Sequence, residues 1–131
     1  MRAPQQIYEY LPLGGRQVGQ QAALPFTVSA PDTLVGLPRK SVQLLGGNDP
    51  GALVLYGQGL GGIAVVEHAA SQNGGKDQRS SLPTVTLAGT TGHELATQLG
   101  TVLFFDRGGV SFVLAGSMPP AAAETAGRSL G

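Results

Sequence analysis

The sequence predicts an α+β domain: an antiparallel sheet of about six or seven strands built from hairpins, with a short N-terminal helix and a C-terminal helix packed on it. Three observations carry this expectation. The run TVLFFDRGGVSFVLAG places two apolar stretches, Val102 to Phe105 and Val110 to Ala115, on either side of Gly108 and Gly109, where glycine supplies the positive φ of a tight hairpin turn. The other apolar runs are short, rich in β-branched residues and separated by turn formers, in a chain with 21 glycines and nine prolines. The chain then closes on PPAAAETAGRSL, two prolines suited to a first helical turn followed by strong helix formers.

Taken in order, residues 1–13 hold Pro4 and Pro12 in a polar stretch without periodicity and read as a tail or linker. Ile7, Tyr8, Tyr10 and Leu11 are its docking points, and residues 14–131 form the single domain. Arg16 to Leu24 spaces Val18, Ala22 and Leu24 as a short helix that Pro25 ends. Phe26 to Ser29 and Lys40 to Leu45 are strand-like. The prolines and glycine of SAPDTLVGLPR between them predict an irregular loop pinned to the core by Leu34, Val35 and Leu37. Asn48 to Gly51 is a turn, after which Ala52 to Tyr56 and Ile63 to His68 flank glycines as a hairpin.

Ala69 to Leu82 has no apolar period and is expected to be a surface loop. In Thr84 to Ala88, Val85 and Leu87 alternate with threonines as a strand with one wet face, and Gly89 to Gly92 turn the chain. HELATQL is read as a strand, turning at Gly100. In the following hairpin a two-residue loop places Leu103, Phe105, Val110, Phe112 and Leu114 on one face, whereas a three-residue loop shifts the pairing by one; the residues leave both open. Apolar on both faces, the hairpin is expected to be central and covered by helix on at least one side. No duplicated segment marks a solenoid or propeller. Arg128 in the last turn of the closing helix complements its negative end.

At 131 residues the chain can bury roughly two thirds of its unfolded surface in one core without disulfides or a structural metal. Eight basic and eight acidic residues cancel, which removes the footprint of a nucleic-acid binder or polybasic membrane anchor. Without tryptophan, and with Phe104, Phe105 and Phe112 in the core hairpin, it lacks stacking platforms for single strands. The absence of cysteine removes thiolate chemistry and Cys-type metal sites and leaves the compartment open. No apolar run approaches the roughly 18 residues of a spanning helix, and the first 15 lack the apolar block of a signal peptide.

Several motifs imitate chemistry. Gly57, Gly59 and Gly62 have the dinucleotide-fingerprint spacing after a strand, with Asp77 beyond, but IAVVEH prefers strand where the fingerprint needs a helix facing the pyrophosphate. His93 and Glu94 begin the zinc-protease helix motif, yet Thr97 stands where its second histidine belongs. Gly127 to Gly131 spell G-x-S-x-G, with a helix before it instead of a strand and nothing after it. Gly75 and Lys76 resemble the end of a phosphate loop, but Ala70 and Asp77 replace its first glycine and its hydroxyl residue. No catalytic residue, metal ligand or cofactor follows from any of them.

An ordered set of these residues resembles a known family. A short helix leads into Pro25-Phe26 and a loop bounded by Pro31 and Pro38; Tyr56-Gly57 precede an apolar strand. G-x-x-G-x-E-L spans Gly89 to Leu95, and G-G-V-x-aromatic runs from Gly108 to Phe112 before the terminal helix. Over about residues 20–130 the chain is similar to the C-terminal module, of unknown biochemical function, of extracytoplasmic bacterial proteins. These include anti-sigma-factor-like membrane proteins and lipoproteins with an upstream lipoprotein-carrier-like or sigma-regulator-like domain. The resemblance implies a non-catalytic, envelope-associated binding or sensing module acting through protein contacts, and assigns no catalytic residues. It implies an extracytoplasmic location, although the chain as written carries neither the upstream domain nor a signal peptide, and so is expected to be a fragment or split gene product. The expected partner is a companion domain, a cell-envelope protein or a second copy of the chain. The alternative from the residues is a small hydrolase or metal-dependent enzyme using His68, His93 and Glu94.

Overall fold

Burial alternates along the long strands as the pleat of a one-sided sheet requires. In the computed structural model, which describes residues 24–46, 50–70 and 81–130, Ala52, Val54 and Tyr56 point inward from one strand and Thr101, Leu103 and Phe105 from another, with partly exposed residues between them. The strands are β1 (Thr33–Leu34), β2 (Leu37–Leu45), β3 (Gly51–Tyr56), β4 (Ile63–Ala69), β5 (Thr84–Leu87), β6 (Thr90–Thr97), β7 (Gly100–Arg107) and β8 (Val110–Gly116). A single antiparallel sheet of order β1-β2-β3-β4-β8-β7-β6-β5 curls into a half-barrel, followed by one helix, α1 (Pro120–Ser129).

This corrects the expected α+β class with six or seven strands and two helices. The protein is mostly antiparallel sheet, with eight strands and one C-terminal α-helix among the described residues. Residues 16–23 of the expected N-terminal helix lie outside them, as do residues 1–13 and 71–80. One reason for the extra strand is the proline-bounded loop. Val35 (φ 42°) and Gly36 (φ 85°) close a tight turn, so Thr33 pairs with Pro38 and Leu34 with Leu37 where irregular chain was expected. Phe26 to Ser29, expected as a strand, belongs to no strand; residues 24–32 cross the concave face as a strap that buries Val28 and Ala30. The turn expected over Gly89 to Gly92 is confined to Ala88 and Gly89, and β6 begins at Thr90.

Val35, expected to pin the loop to the core, is exposed, the turn expected at Gly100 falls on Gln98 and Leu99, and residues 47–49 of the turn expected over Asn48 to Gly51 lie outside the described ones. HELATQL lies largely in β6, and the β7–β8 hairpin is central, with α1 packed against β5, β7 and β8. Arg107 pairs with Val110 across Gly108 (φ 62°) and Gly109 (φ 80°). The loop is therefore the two-residue form, and Leu103, Phe105, Val110, Phe112 and Leu114 are all buried.

The strand order also shows a relationship that the residues hide. β1 to β4 and β5 to β8 are two meanders that meet at the β4–β8 ladder, related by an approximate two-fold axis through that seam. Tyr56 sits opposite Ile63 and Val54 opposite Val65, as Phe105 sits opposite Phe112 and Leu103 opposite Leu114. Each meander opens on Thr-Leu-x-Gly, with Leu34 and Leu87 buried before a turn. The covers differ. The first half-sheet lies under the strap and the second under α1, whose Ala123, Ala126 and Gly127 let the helix approach closely. A Cβ at Gly127 would stand 2.8 Å from Leu103 Cδ2.

Candidate functional site

The two histidines and the glutamate of the expected catalytic alternative do not converge. His68 lies on β4 and His93 on β6, with β8 and β7 between them, a separation of roughly 14 Å at ordinary strand spacing. Their chain neighbours Glu67 and Glu94 are buried on the concave side, so both imidazoles belong to the convex face and Glu94 to the opposite one. Among the described residues no group of three or more histidines or carboxylates is placed to hold a metal ion. Gly57 to Gly62 form a hairpin loop containing a three-residue 3-10 turn, Gly59–Gly61, and β4 leaves directly from Ile63. No α-helix springs from Gly62, so the geometry of a dinucleotide fingerprint is not built.

The structure does bring His68 beside residues that sequence reasoning missed. His68 faces Ser111 across the β4–β8 ladder, and Ser111 faces Asp106 across β7–β8. Ser111 Oγ donates to Asp106 Oδ1 at 2.6 Å, and the serine is buried. A hydrolytic triad places histidine between serine and aspartate, so that the imidazole can take the hydroxyl proton. Here the serine is central and its proton goes to the carboxylate. The row is a cross-strand polar ladder, and only the register, which the residues left open, could have revealed it.

Each cover is tied down by a cation from the sheet beneath it. The Arg39 guanidinium, on β2, donates to the Ala30 carbonyl of the strap and pairs with Asp32 at 3.0 Å. Tyr56 Oη donates to the Pro31 carbonyl at 3.0 Å; burial, and next the nearby Glu67, push this phenol well above its ordinary value. On the other half, Arg107 donates to the carbonyls of Gly127 (3.0 Å) and Leu130, at the end of α1, and of Ala88 (3.3 Å). A helix C-terminus leaves carbonyls without intrahelical partners, so a cation here is well placed.

Each cover also hides a carboxyl group. Glu67 is fully buried: its Oε1 accepts the Ser29 N–H of the strap at 2.7 Å, and its Oε2 has no hydrogen-bond partner among the described residues. Burial pushes its pKa up to about 8, with the Ser29 N–H opposing. Glu94, beneath α1, also has an unpartnered Oε2; burial first, then a hydrogen bond and charge repulsion with Glu124 of the helix, push it up to about 7. Strand alternation explains both inward positions, but a sequence pattern assigns a charged residue in a strand to the wet face. Nothing local signalled their burial.

Finally, exposed apolar residues gather at one end of the sheet. Leu60, in the β3–β4 loop, is 93% exposed and Leu99, in the β6–β7 turn, 89% exposed. Val35, in the β1–β2 turn, is at the same end. The loops and connection here, residues 35–36, 57–62, 98–99 and 117–119, contain no charged side chain. They are held in place: Ser117 Oγ donates to the Leu60 carbonyl, and Thr97 Oγ1 accepts from the Leu99 (3.1 Å) and Gly100 (3.3 Å) amides. No protein-family model matches this chain, and no curated protein does either.

Proposed function

We propose that this chain is a non-catalytic binding or sensing module of the bacterial cell envelope, acting through protein contacts as the C-terminal part of a larger lipoprotein or anti-sigma-like system. The observation that carries this reading is the uncharged end of the sheet, where Leu60 and Leu99 stand almost fully exposed on loops fixed by hydrogen bonds. Two leucines displayed this way cost little further ordering when a partner covers them, and burying each side chain is worth about 1.5–3 kcal/mol. The described arginines with the most internal hydrogen bonds, Arg39 and Arg107, are engaged in holding covers. The ordered motifs from Pro25-Phe26 to Gly108–Phe112 support the envelope assignment through their resemblance to the extracytoplasmic module.

A photo-crosslinking amino acid at position 60 or 99, in the protein expressed in its own host, tests the reading. The expected result is one adduct of defined mass from both positions, identified by mass spectrometry as a protein of the envelope, a companion domain or a second copy of this chain. The same crosslinker in place of Thr125, exposed on α1, serves as the control. No adduct, or the same adducts from position 125, would overturn it.

A further inference from the structure

We propose that Glu67 is a pH-set latch on the strap formed by residues 24–32: neutral, it keeps the strap on the first half-sheet, and ionised, it releases the strap and bares that half of the concave face. This goes beyond the docking end and does not depend on it.

The geometry has three parts. Glu67 is inaccessible to solvent, so ionisation must take place where water cannot reach it. Among the described residues, the one hydrogen bond its carboxyl makes is from a strap backbone amide, Ser29 N–H, and the other oxygen has no partner. A neutral carboxyl at such a site forfeits about one hydrogen bond, roughly 1–3 kcal/mol. An ionised one is a buried charge with a single N–H partner, which costs several kcal/mol. The least costly relief is movement of the strap, because β3 and β8 on either side of β4 are held by continuous ladders, whereas residues 24–32 belong to no strand and their backbone bond to the sheet is at the end, where the Asp32 carbonyl accepts the Arg39 N–H at 2.8 Å.

Among the described residues, the groups facing Glu67 do not supply a counter-charge. On the strap they are the Ser29 amide and Asp32, which is 83% exposed in its side chain. On β3 they are the Tyr56 phenol, whose own ionisation Glu67 opposes, and Ala52, its cross-strand partner. On β8 the partner is Phe112. On β2, Arg39 is bonded to Ala30 O and Asp32, both on the strap. Release of the strap would therefore break these two contacts of the arginine and the Tyr56 Oη bond to the Pro31 carbonyl as well, and would uncover the carboxylate together with the apolar face that Val28 and Ala30 pack on, a groove of the kind a sensing module could offer to a partner.

The chain has no cysteine, so Val28→Cys introduces one thiol at a buried strap position. Maleimide labelling of this variant is compared at each pH with labelling of the double variant Val28→Cys/Glu67→Gln, which cancels the thiol's own pH dependence. Between pH 6 and 9 the single variant, which keeps Glu67, is expected to label about tenfold faster or more relative to the double variant, as ionisation moves the strap equilibrium. In nitrogen-15 correlation spectra of the otherwise unaltered chain, the Ser29 cross-peak is expected to titrate while the Phe105 and Phe112 cross-peaks persist as those of a folded sheet, Phe112 shifting with the adjacent carboxyl, and Glu67→Gln to abolish the Ser29 titration. Glu94→Gln, on the other half-sheet, should leave the strap response unchanged. Equal labelling ratios across the pH range, a Ser29 peak that titrates in the Glu67→Gln variant, or simultaneous loss of the Phe105 and Phe112 peaks would overturn the latch; the spectra decide the matter even if the cysteine variant does not fold.

Discussion

Phe105 and Phe112 face each other across the β7–β8 ladder with ring centroids 4.8 Å apart and planes within 9°, and the Arg107 guanidinium sits 5.1 Å from the centre of the Phe105 ring. The stacked pair belongs to the second half of the sheet and reaches the seam with the first: Phe112 is also the cross-strand partner of Glu67 on β4. The ring pair and the cation above it therefore join the central hairpin to both covers.

Phe112→Ala removes a fully buried ring at this junction. Chemical denaturation is expected to show a loss of about 3–5 kcal/mol, the range for Phe to Ala in a core. A loss under about 1 kcal/mol would mean that the two halves do not share one core.

Arg107→Ala removes the guanidinium donor from the carbonyls of Leu130 and of Gly127, the latter keeping the Leu130 N–H. Roughly 2 kcal/mol of stability should go with it, and faster amide exchange should appear first in α1 while β3 and β4 keep their protection. Arg107→Lys is expected to recover only part of the loss, because one ammonium does not reproduce the forked contacts of a guanidinium.

Both buried carboxyls have folded-state pKa values, about 8 for Glu67 and about 7 for Glu94, raised above an ordinary value of 4.5. The folded state then binds more protons than the unfolded chain between these limits, so stability is fully present below about pH 4.5 and is lost as pH rises through 7 to 8. As far as these two groups govern it, the Tm should fall between pH 5 and 8. The double variant Glu67→Gln/Glu94→Gln should flatten that slope and melt higher than the parent at pH 8.5. A parent Tm that rises over the same interval and is unaltered by the two substitutions would contradict their placement.

Val35 adopts φ 42° in the β1–β2 turn, a conformation that is strained for a β-branched residue. Asparagine before glycine is the favoured pair for such a turn. Val35→Asn should therefore stabilise the protein by about 1 kcal/mol, read as an upward shift in Tm. In contrast, Leu60→Ser/Leu99→Ser should change stability by less than about 0.5 kcal/mol, since both side chains already face solvent.

The hairpins were legible because their determinants are local. The apolar runs Val102 to Phe105 and Val110 to Ala115 and the Gly108–Gly109 turn suffice to define β7 and β8, and the helix formers after Pro120 define α1. The β1–β2 turn was missed because its residues place valine where glycine or asparagine signals positive φ. The candidate site was scarcely legible: the motif-bearing residues His68, His93 and Gly57 to Gly62 were visible and do not converge, whereas Glu67, Arg39 and Arg107 carried no motif.

By itself the sequence determined the order of short extended segments, the position of the closing helix and the absence of cysteine and net charge, because periodicity, turn chemistry and composition act over a few residues. Tertiary structure alone decided that β4 pairs with β8, that two meanders share one sheet, and that Glu67 and Glu94 lie under covers. These depend on contacts between residues far apart in the chain, and the cost of burying a carboxyl is set by what the rest of the fold lays over it.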